Sequence, residues 1–268
     1  GAFPTLAWAE KAFPGKKGEE AVDALWDAIF SVCRITGDGK GVERWREHVA
    51  AAARRAKTLN DCRFASLHYK NSLGTDLTVR LPDNHVWAGG SEKSAGGVEF
   101  VANMPTEEIF TAPRWDGVDG RVYAALPLAL NGNLVKDFWL ELKGGRIVDV
   151  HAGEGEEVLR RSIELDEGSH YLGEAALVPY DSLIRASGVL FYNTLFDENA
   201  SCHFAFGSAY PSCVRGGEEM SEEGQKAAGL NQSINHVDFM VGTRDLSIVG
   251  TTHDGREIPV FVDGNFAF

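Results

Sequence analysis

No CxxC pair and no short cysteine framework occurs in these 268 residues; Cys33, Cys62, Cys202 and Cys213 are scattered singly along the chain. A disulfide scaffold is thereby excluded, and reduced thiols in a cytoplasmic protein are the simpler expectation. Long apolar runs are missing too: nothing approaches the ~20 residues a membrane-spanning helix needs, and no basic-plus-apolar signal peptide opens the chain. Positive charge is scarce, with 26 Lys and Arg against 39 Asp and Glu for a net charge of −13. A nucleic-acid surface needs a concentrated positive patch, so neither nucleic acid nor membrane is an expected partner. The short catalytic signatures H-E-x-x-H, P-loop, G-x-S-x-G and EF-hand are also absent.

What remains is an ordinary globular composition, 44% hydrophobic and 24% charged, long enough to bury a sizeable core. The acidic surplus would be natural if several carboxylates converge on bound cations.

Periodicity suggests α+β architecture. Residues 1–18 read as extended, broken by Pro4, Pro14 and Gly15. Helical spacing of Val22, Leu25, Trp26, Ile29 and Phe30 predicts a helix over 19–35. A second helix over 42–57 makes the opening, residues 1–60, a helical hairpin. From Phe64 the period falls to two, and residues 61–268 read as a mostly antiparallel, curved sheet with a few helices. A strand over 121–130 turns at Asn131-Gly132 into a partner over 134–143. Helical segments are expected over 156–166 and near Ser182, a short strand over 173–178, and three strand-like runs after Asn235. Residues 214–232, rich in Gly, Glu and Ser, read as a surface loop. With no repeats and no linker, 1–268 is expected to form one metal-binding domain.

Two stretches carry chemistry. Residues 191–210 run from apolar Phe191, Leu195 and Phe196 into Asp197, Glu198 and Asn199, then His203 and Tyr210. A buried strand followed by a polar turn, with His203 merely packed, accounts for that stretch taken alone. In Asn235-His-Val-Asp-Phe-Met-Val241, strand alternation sends His236, Asp238 and Met240 to one face and Val237, Phe239 and Val241 to the other. An imidazole and a carboxylate on an apolar backing make a cation platform, although H-x-D alone is common. Glu108, Glu174, His203, His236 and Asp238 would suit one or two borderline divalent ions such as Zn²⁺, Mn²⁺ or Co²⁺. Spacing by itself does not single these five out of 39 acidic residues and 8 histidines.

Longer motifs in series do. Gly74-Thr-Asp-Leu77, Asn103-Met-Pro-Thr-Glu-Glu-Ile-Phe-Thr-Ala-Pro113, Gly173-Glu-Ala-Ala-Leu-Val-Pro179, Asn193-Thr-Leu-Phe-Asp-Glu-Asn-Ala200 with His203 and Tyr210, and His236-Val-Asp238 occur in this order. The chain resembles the M29 family of metalloaminopeptidases from the first helix to Phe268. That resemblance implies two divalent metal ions, a peptide substrate losing its N-terminal residue, and a homodimer. By motif position it implies Glu108, Glu174, His203, His236 and Asp238 as ligands, and Tyr210 as a catalytic group that is not a ligand. Glu107 is the rival of Glu108, and the length of the segment up to Glu174 favours Glu108. Glu174 is expected to bridge the ions or to move the proton. Family members carry a further N-terminal domain, and this chain begins where their second part begins, so it is expected to be a fragment or a natural short form. Hydrolysis of other small amides or esters, and a catalytically incomplete binding or assembly domain, are the alternatives to an aminopeptidase.

Other polar residues have plainer expected roles. His68, His85, His151 and His253 read as structural or turn residues, and Cys202 as a packing residue. Asp197 and Glu198 would either orient His203 or close a turn.

Overall fold

The structure is a computed structural model that describes residues 2–268. Residues 1–18, expected to be extended, contain a seven-residue helix, α1 (Leu6–Ala12), capped by the Thr5 hydroxyl accepting from Trp8 N at 3.3 Å. It forms because Trp8, Ala9 and Ala12 pack with the next helix. That helix, α2 (Glu19–Val32), ends short of Ile35 where Arg34 takes a positive φ of 61°. The third, α3 (Gly41–Cys62), runs past Lys57 because its buried stripe, Trp45, Ala52, Ala56 and Leu59, continues into the main core. The two long helices follow each other in the chain but bury their faces on different partners: α2 on α1, α3 against the sheets.

The strands are β1 (Phe64–Lys70), β2 (Asp76–Arg80), β3 (Glu92–Lys93), β4 (Glu99–Phe100), β5 (Ile109–Thr111), β6 (Val118–Tyr123), β7 (Leu128–Leu130), β8 (Asn133–Lys143) and β9 (Arg146–Glu154). After α4 (Glu156–Ile163) come β10 (Leu172–Leu177), α5 (Leu183–Ser187), α6 (Thr194–Asp197), β11 (His203–Gly207), α7 (Glu222–Ala227), β12 (His236–Met240), β13 (Ser247–Thr252), β14 (Glu257–Val262) and β15 (Asn265–Phe266). They build two main sheets rather than one. The larger runs β15-β14-β13-β1-β2-β6-β8-β7, with β9 also on β8; the smaller runs β12-β11-β10-β5. Every pairing is antiparallel.

The expected strand over 121–130 is broken in two. Ala125 N–H leaves the large sheet to donate to Met240 O at 2.8 Å, and Pro127 has no N–H to offer. The Asn131-Gly132 turn forms as expected, both residues at positive φ (50° and 80°). Residues 214–232 are not simply a loop: α7 is capped by Ser221, and Val214 and Leu230 are buried in a satellite cluster. The stretch before His203 is helical rather than a buried strand. Asp197 accepts the Phe191 and Asn193 N–H groups at 2.7 and 3.0 Å and winds the segment into a turn; the strand begins only at His203.

Between the two sheets lies the main core. Phe204 and Phe239 of the small sheet meet Tyr69 and Phe138 of the large one, with centroids 5.0–5.8 Å apart. Each such ring, fully buried, contributes roughly 1.5–3 kcal/mol. The small sheet thus commits one face to the core, and its other face is left for polar groups.

Candidate metal centre

Register across the small sheet determines what that other face holds. Glu174 on β10 and Asp238 on β12 both stand opposite Ala205 on β11, while His203 lies opposite Ala176 and Met240, and His236 opposite Gly207. Two carboxylates therefore flank a methyl group, leaving a hollow that a larger residue at 205 would fill. Gly207 is required by close approach: at φ 112° its backbone passes so near Asn235 that a Cβ would sit 2.2 Å from the carbonyl oxygen. Gly173 is held as tightly, 2.3 Å from Ser208 O on the same test, at the bulge that precedes Glu174. Glu108 arrives just before β5, and Gly89 lets a neighbouring strand-like segment press against the Glu108 carbonyl.

The five side chains expected from the resemblance converge. His203 Nε2 lies 3.1 Å from Glu108 Oε2 and 3.6 Å from Glu174 Oε1. His236 Nε2 lies 3.5 Å from both Glu174 Oε2 and Asp238 Oδ1. Two triads able to hold a cation result, Glu108–Glu174–His203 and Glu174–His236–Asp238, with Glu174 common to both.

Both imidazoles are presented in the same manner. Their Nδ1 atoms face backbone carbonyls, Ser201 O at 3.1 Å for His203 and Ser208 O at 2.8 Å for His236. A proton on Nδ1 leaves the Nε2 lone pair directed into the cluster, as a metal-ligating histidine requires. His203 Nε2 is buried and, among the described residues, has no hydrogen-bond partner. Such orphaned groups are rare in native interiors, and a cation would satisfy this one. Oxygen and nitrogen donors without thiolate suit zinc, manganese or cobalt. The residues fit a metal site.

The electrostatics point the same way. Burial alone would push the His203 imidazole down, but the Glu108 and Glu174 carboxylates overcome it and hold it well above its ordinary value. Burial likewise opposes, and Asp238 and Glu174 drive, the rise of His236 to about 9. Glu174 is pushed up by burial and then, against His203, by Glu108. Protons gather where cations would otherwise neutralise the carboxylates.

Tyr210 follows β11 by a turn and stands at the rim, half-exposed, its ring centroid 5.3 Å from that of His236 and 5.9 Å from that of Phe110. Burial, and then Glu174 and Asp238, push its phenol up to about 12, so at neutral pH it is a donor. A cavity of about 770 Å³ connects these groups, with Glu108, Glu174, Tyr210, His236 and Asp238 in its wall.

Glu198 also lines this cavity. Burial, then Asp238, pushes its carboxyl up to about 9, so in the metal-free cluster it keeps its proton. Its neighbour Asp197 instead closes the turn. Neither orients His203, whose Nδ1 is held by backbone. No sequence period marks Glu198, because it lies in a single 3₁₀ turn. Glu107 points away from the cluster to Arg34. His68 and His151 pair with Asp76 and Glu156 on the surface, and His85 Nδ1 meets Pro82 O. Cys202 is buried on the core side, its thiol against Val178 O.

The pattern of a family described as thermophilic metalloprotease (M29) matches residues 1–266. The chain belongs to the M29 family. Among M29 relatives, aminopeptidase AmpS of Bacillus subtilis is 52% identical over 264 residues, which are 98% of this chain and 64% of that protein. Aminopeptidase T of Thermus aquaticus is 42% identical over the same shares. Wild-type AmpT from Thermus thermophilus superimposes with a TM-score of 0.90 at 42% identity, over 99% of this chain and 64% of that one. The chain thus spans a little under two thirds of the relatives it matches. A dioxygenase of Pseudomonas putida, at 15% identity and a TM-score of 0.55, shares the fold alone. No helix is long and apolar enough to cross a membrane among the described residues.

Proposed function

We propose that this chain carries the catalytic site of a metal-dependent aminopeptidase, which hydrolyses the first peptide bond of a free N-terminus. The observation that carries the reading is Glu174: its two oxygens address two different histidines, 3.6 and 3.5 Å away, each with a further carboxylate beside it. That arrangement suits two divalent ions, with Glu108 and His203 on one, His236 and Asp238 on the other, and Glu174 between. When bound, zinc, cobalt or manganese ions would polarise the scissile carbonyl and make a water acidic near neutral pH.

The chain's own groups supply the rest. Glu174 is positioned to take a proton from the attacking water and return it to the leaving amine. The Tyr210 hydroxyl donates to the carbonyl oxygen as it gains charge. Aminopeptidase activity among M29 relatives supports the choice of peptide over other amides. Four cysteines without a disulfide support a reducing, cytoplasmic setting. Exposed Val42, Ile35 and Phe100 around an apolar groove support association with a second copy.

Release of p-nitroaniline from leucyl-p-nitroanilide after Zn²⁺, Co²⁺ or Mn²⁺ addition tests the reaction. Activity should vanish when the substrate amine is acetylated. Equal turnover of the acetylated substrate would make the protein a general amidase. Stoichiometric metal uptake without turnover of either substrate would make it a binding domain.

A further inference from the structure

Glu107 and Arg34 form a buried pair outside the cluster. Arg34 donates from Nη1 to Glu107 Oε1 at 2.5 Å and from Nη2 to Oε2 at 2.8 Å, with side chains only 12% and 5% exposed. The same Nη2 lies 3.0 Å from His48 Nδ1, and His48 Nε2 donates to Thr106 O at 2.7 Å. From the opposite side, the fully buried Asn199 accepts the Glu107 N–H at 2.7 Å. Its amide nitrogen reaches Leu195 O at 3.1 Å and Glu198 Oε1 at 3.4 Å.

Thr106 and Glu107 are thus fixed by side chains from three separate segments, immediately before Glu108. This matters because the chain from Val101 to Glu108 has no helix or strand of its own, and β5 begins only at Ile109. The Glu108 backbone is therefore held by this network on one side and by β5 on the other. Arg34 itself sits at φ 61°, which a residue with a Cβ adopts only when its surroundings impose it. A buried ion pair adds little stability compared with well-packed apolar residues, but it does fix geometry when bidentate and fully bonded.

We propose that Arg34 and Glu107, with His48, are positioning residues that aim Glu108 at the Glu108–Glu174–His203 pocket and leave the Glu174–His236–Asp238 pocket untouched. The proposal rests on the two-ion reading above. It predicts that loosening the pair weakens one ion and not the other.

The test is titration of Co²⁺ into the metal-free chain near neutral pH, followed by calorimetry and visible absorption. The unchanged chain should bind in two steps, and Glu108→Gln identifies the step that belongs to its pocket. In Arg34→Lys and Glu107→Gln that step should weaken about 10–100-fold, as for loss of groups that orient a ligand, while the other moves less than about twofold. Leu142→Ala, in the core of the large sheet, serves as a control destabilised without contact to the network, and both steps should stay unchanged. Should an ion-pair variant not fold, His48→Ala, which frees Thr106 O with the pair intact, carries the same expectation. Folded variants with both steps unaltered would overturn the positioning role, as would equal weakening in Leu142→Ala. Fewer than two ions in the unchanged chain would instead overturn the two-ion reading, and this role with it.

Discussion

His203 Nε2 and Glu108 Oε2 stand 3.1 Å apart, yet the imidazole nitrogen has no hydrogen-bond partner among the described residues. Two polar groups so close and so poorly aligned for each other are aligned for something between them. Each carboxylate around the histidines then has its own expected consequence. Glu108→Gln should cost the ion beside His203, Asp238→Asn the ion beside His236, and Glu174→Gln both. Metal analysis after gel filtration checks this. Retention of one full equivalent by Glu174→Gln would mean that its carboxylate is not shared.

Removing metal should invert the pH dependence of stability. In the metal-free chain His236 is held at about 9, with burial opposing and Asp238 and Glu174 driving the rise. A raised imidazole stabilises fully below its unfolded value near ~6.5, and that contribution is lost as pH climbs through about 9. With chelator present, thermal stability should therefore fall from pH ~6.5 to ~9, by about 3 kcal/mol at most from this group. His236→Gln should flatten the slope. With Zn²⁺ the trend should reverse below pH ~7, where protons compete for the ligands. A metal-free chain that is more stable at the alkaline end would contradict the assignment of these protons.

Tyr210→Phe should separate chemistry from binding. The ring packs against His236 and Phe110, and its hydroxyl is not needed for that packing. Metal content and folding should be retained, while kcat falls roughly 10²–10³-fold with little change in KM. Normal turnover, or metal loss as severe as in Glu174→Gln, would remove the tyrosine from the role of donor.

Asp166 should govern acid stability far from the cavity. It accepts Ser169 N and Oγ at 2.7 and 2.8 Å, Ser233 Oγ at 2.7 Å and Ile234 N at 2.8 Å, tying the approach to β10 to the approach to β12. Burial pushes its carboxyl up, but the bonds from Ile234, Ser233 and Ser169 prevail and hold it at about 2. A depressed carboxyl stabilises above its unfolded value of ~3.9 and loses that contribution as pH falls toward ~2. Asp166→Asn should cost about 1 kcal/mol at neutral pH, solvent screening of this partly open carboxylate keeping the figure low, and shrink the loss seen between pH ~4 and ~2. Urea titrations at several pH values give both quantities; an unchanged acid limb would show that other carboxylates control it.

Much of the local structure was legible because it depends on near neighbours. Alternation over 235–241 put His236 and Asp238 on one face and Phe239 in the core, and the fold agrees. Asn131-Gly132 announced its turn through backbone preference alone. Errors arose where an unforeseen acceptor competes for the backbone: the strand over 121–130 breaks for Met240 O far along the chain, and the segment before His203 coils around its own Asp197 carboxylate, a local side-chain bond that no hydrophobic period marks.

By itself the sequence determined the donor types, the face each presents within its own strand, and, through motifs in series, the M29 family. These follow from side-chain chemistry, a two-residue period and chain order. Tertiary structure alone decided which groups meet. Glu107 and Glu108 are adjacent acids on an irregular segment; one is captured by Arg34, 73 residues earlier, and the other faces His203. Glu174 and Asp238 come to flank Ala205 only through the register of three strands. That register is set by packing Phe204, Phe206 and Phe239 against the larger sheet, a non-local balance of buried area that no local pattern encodes.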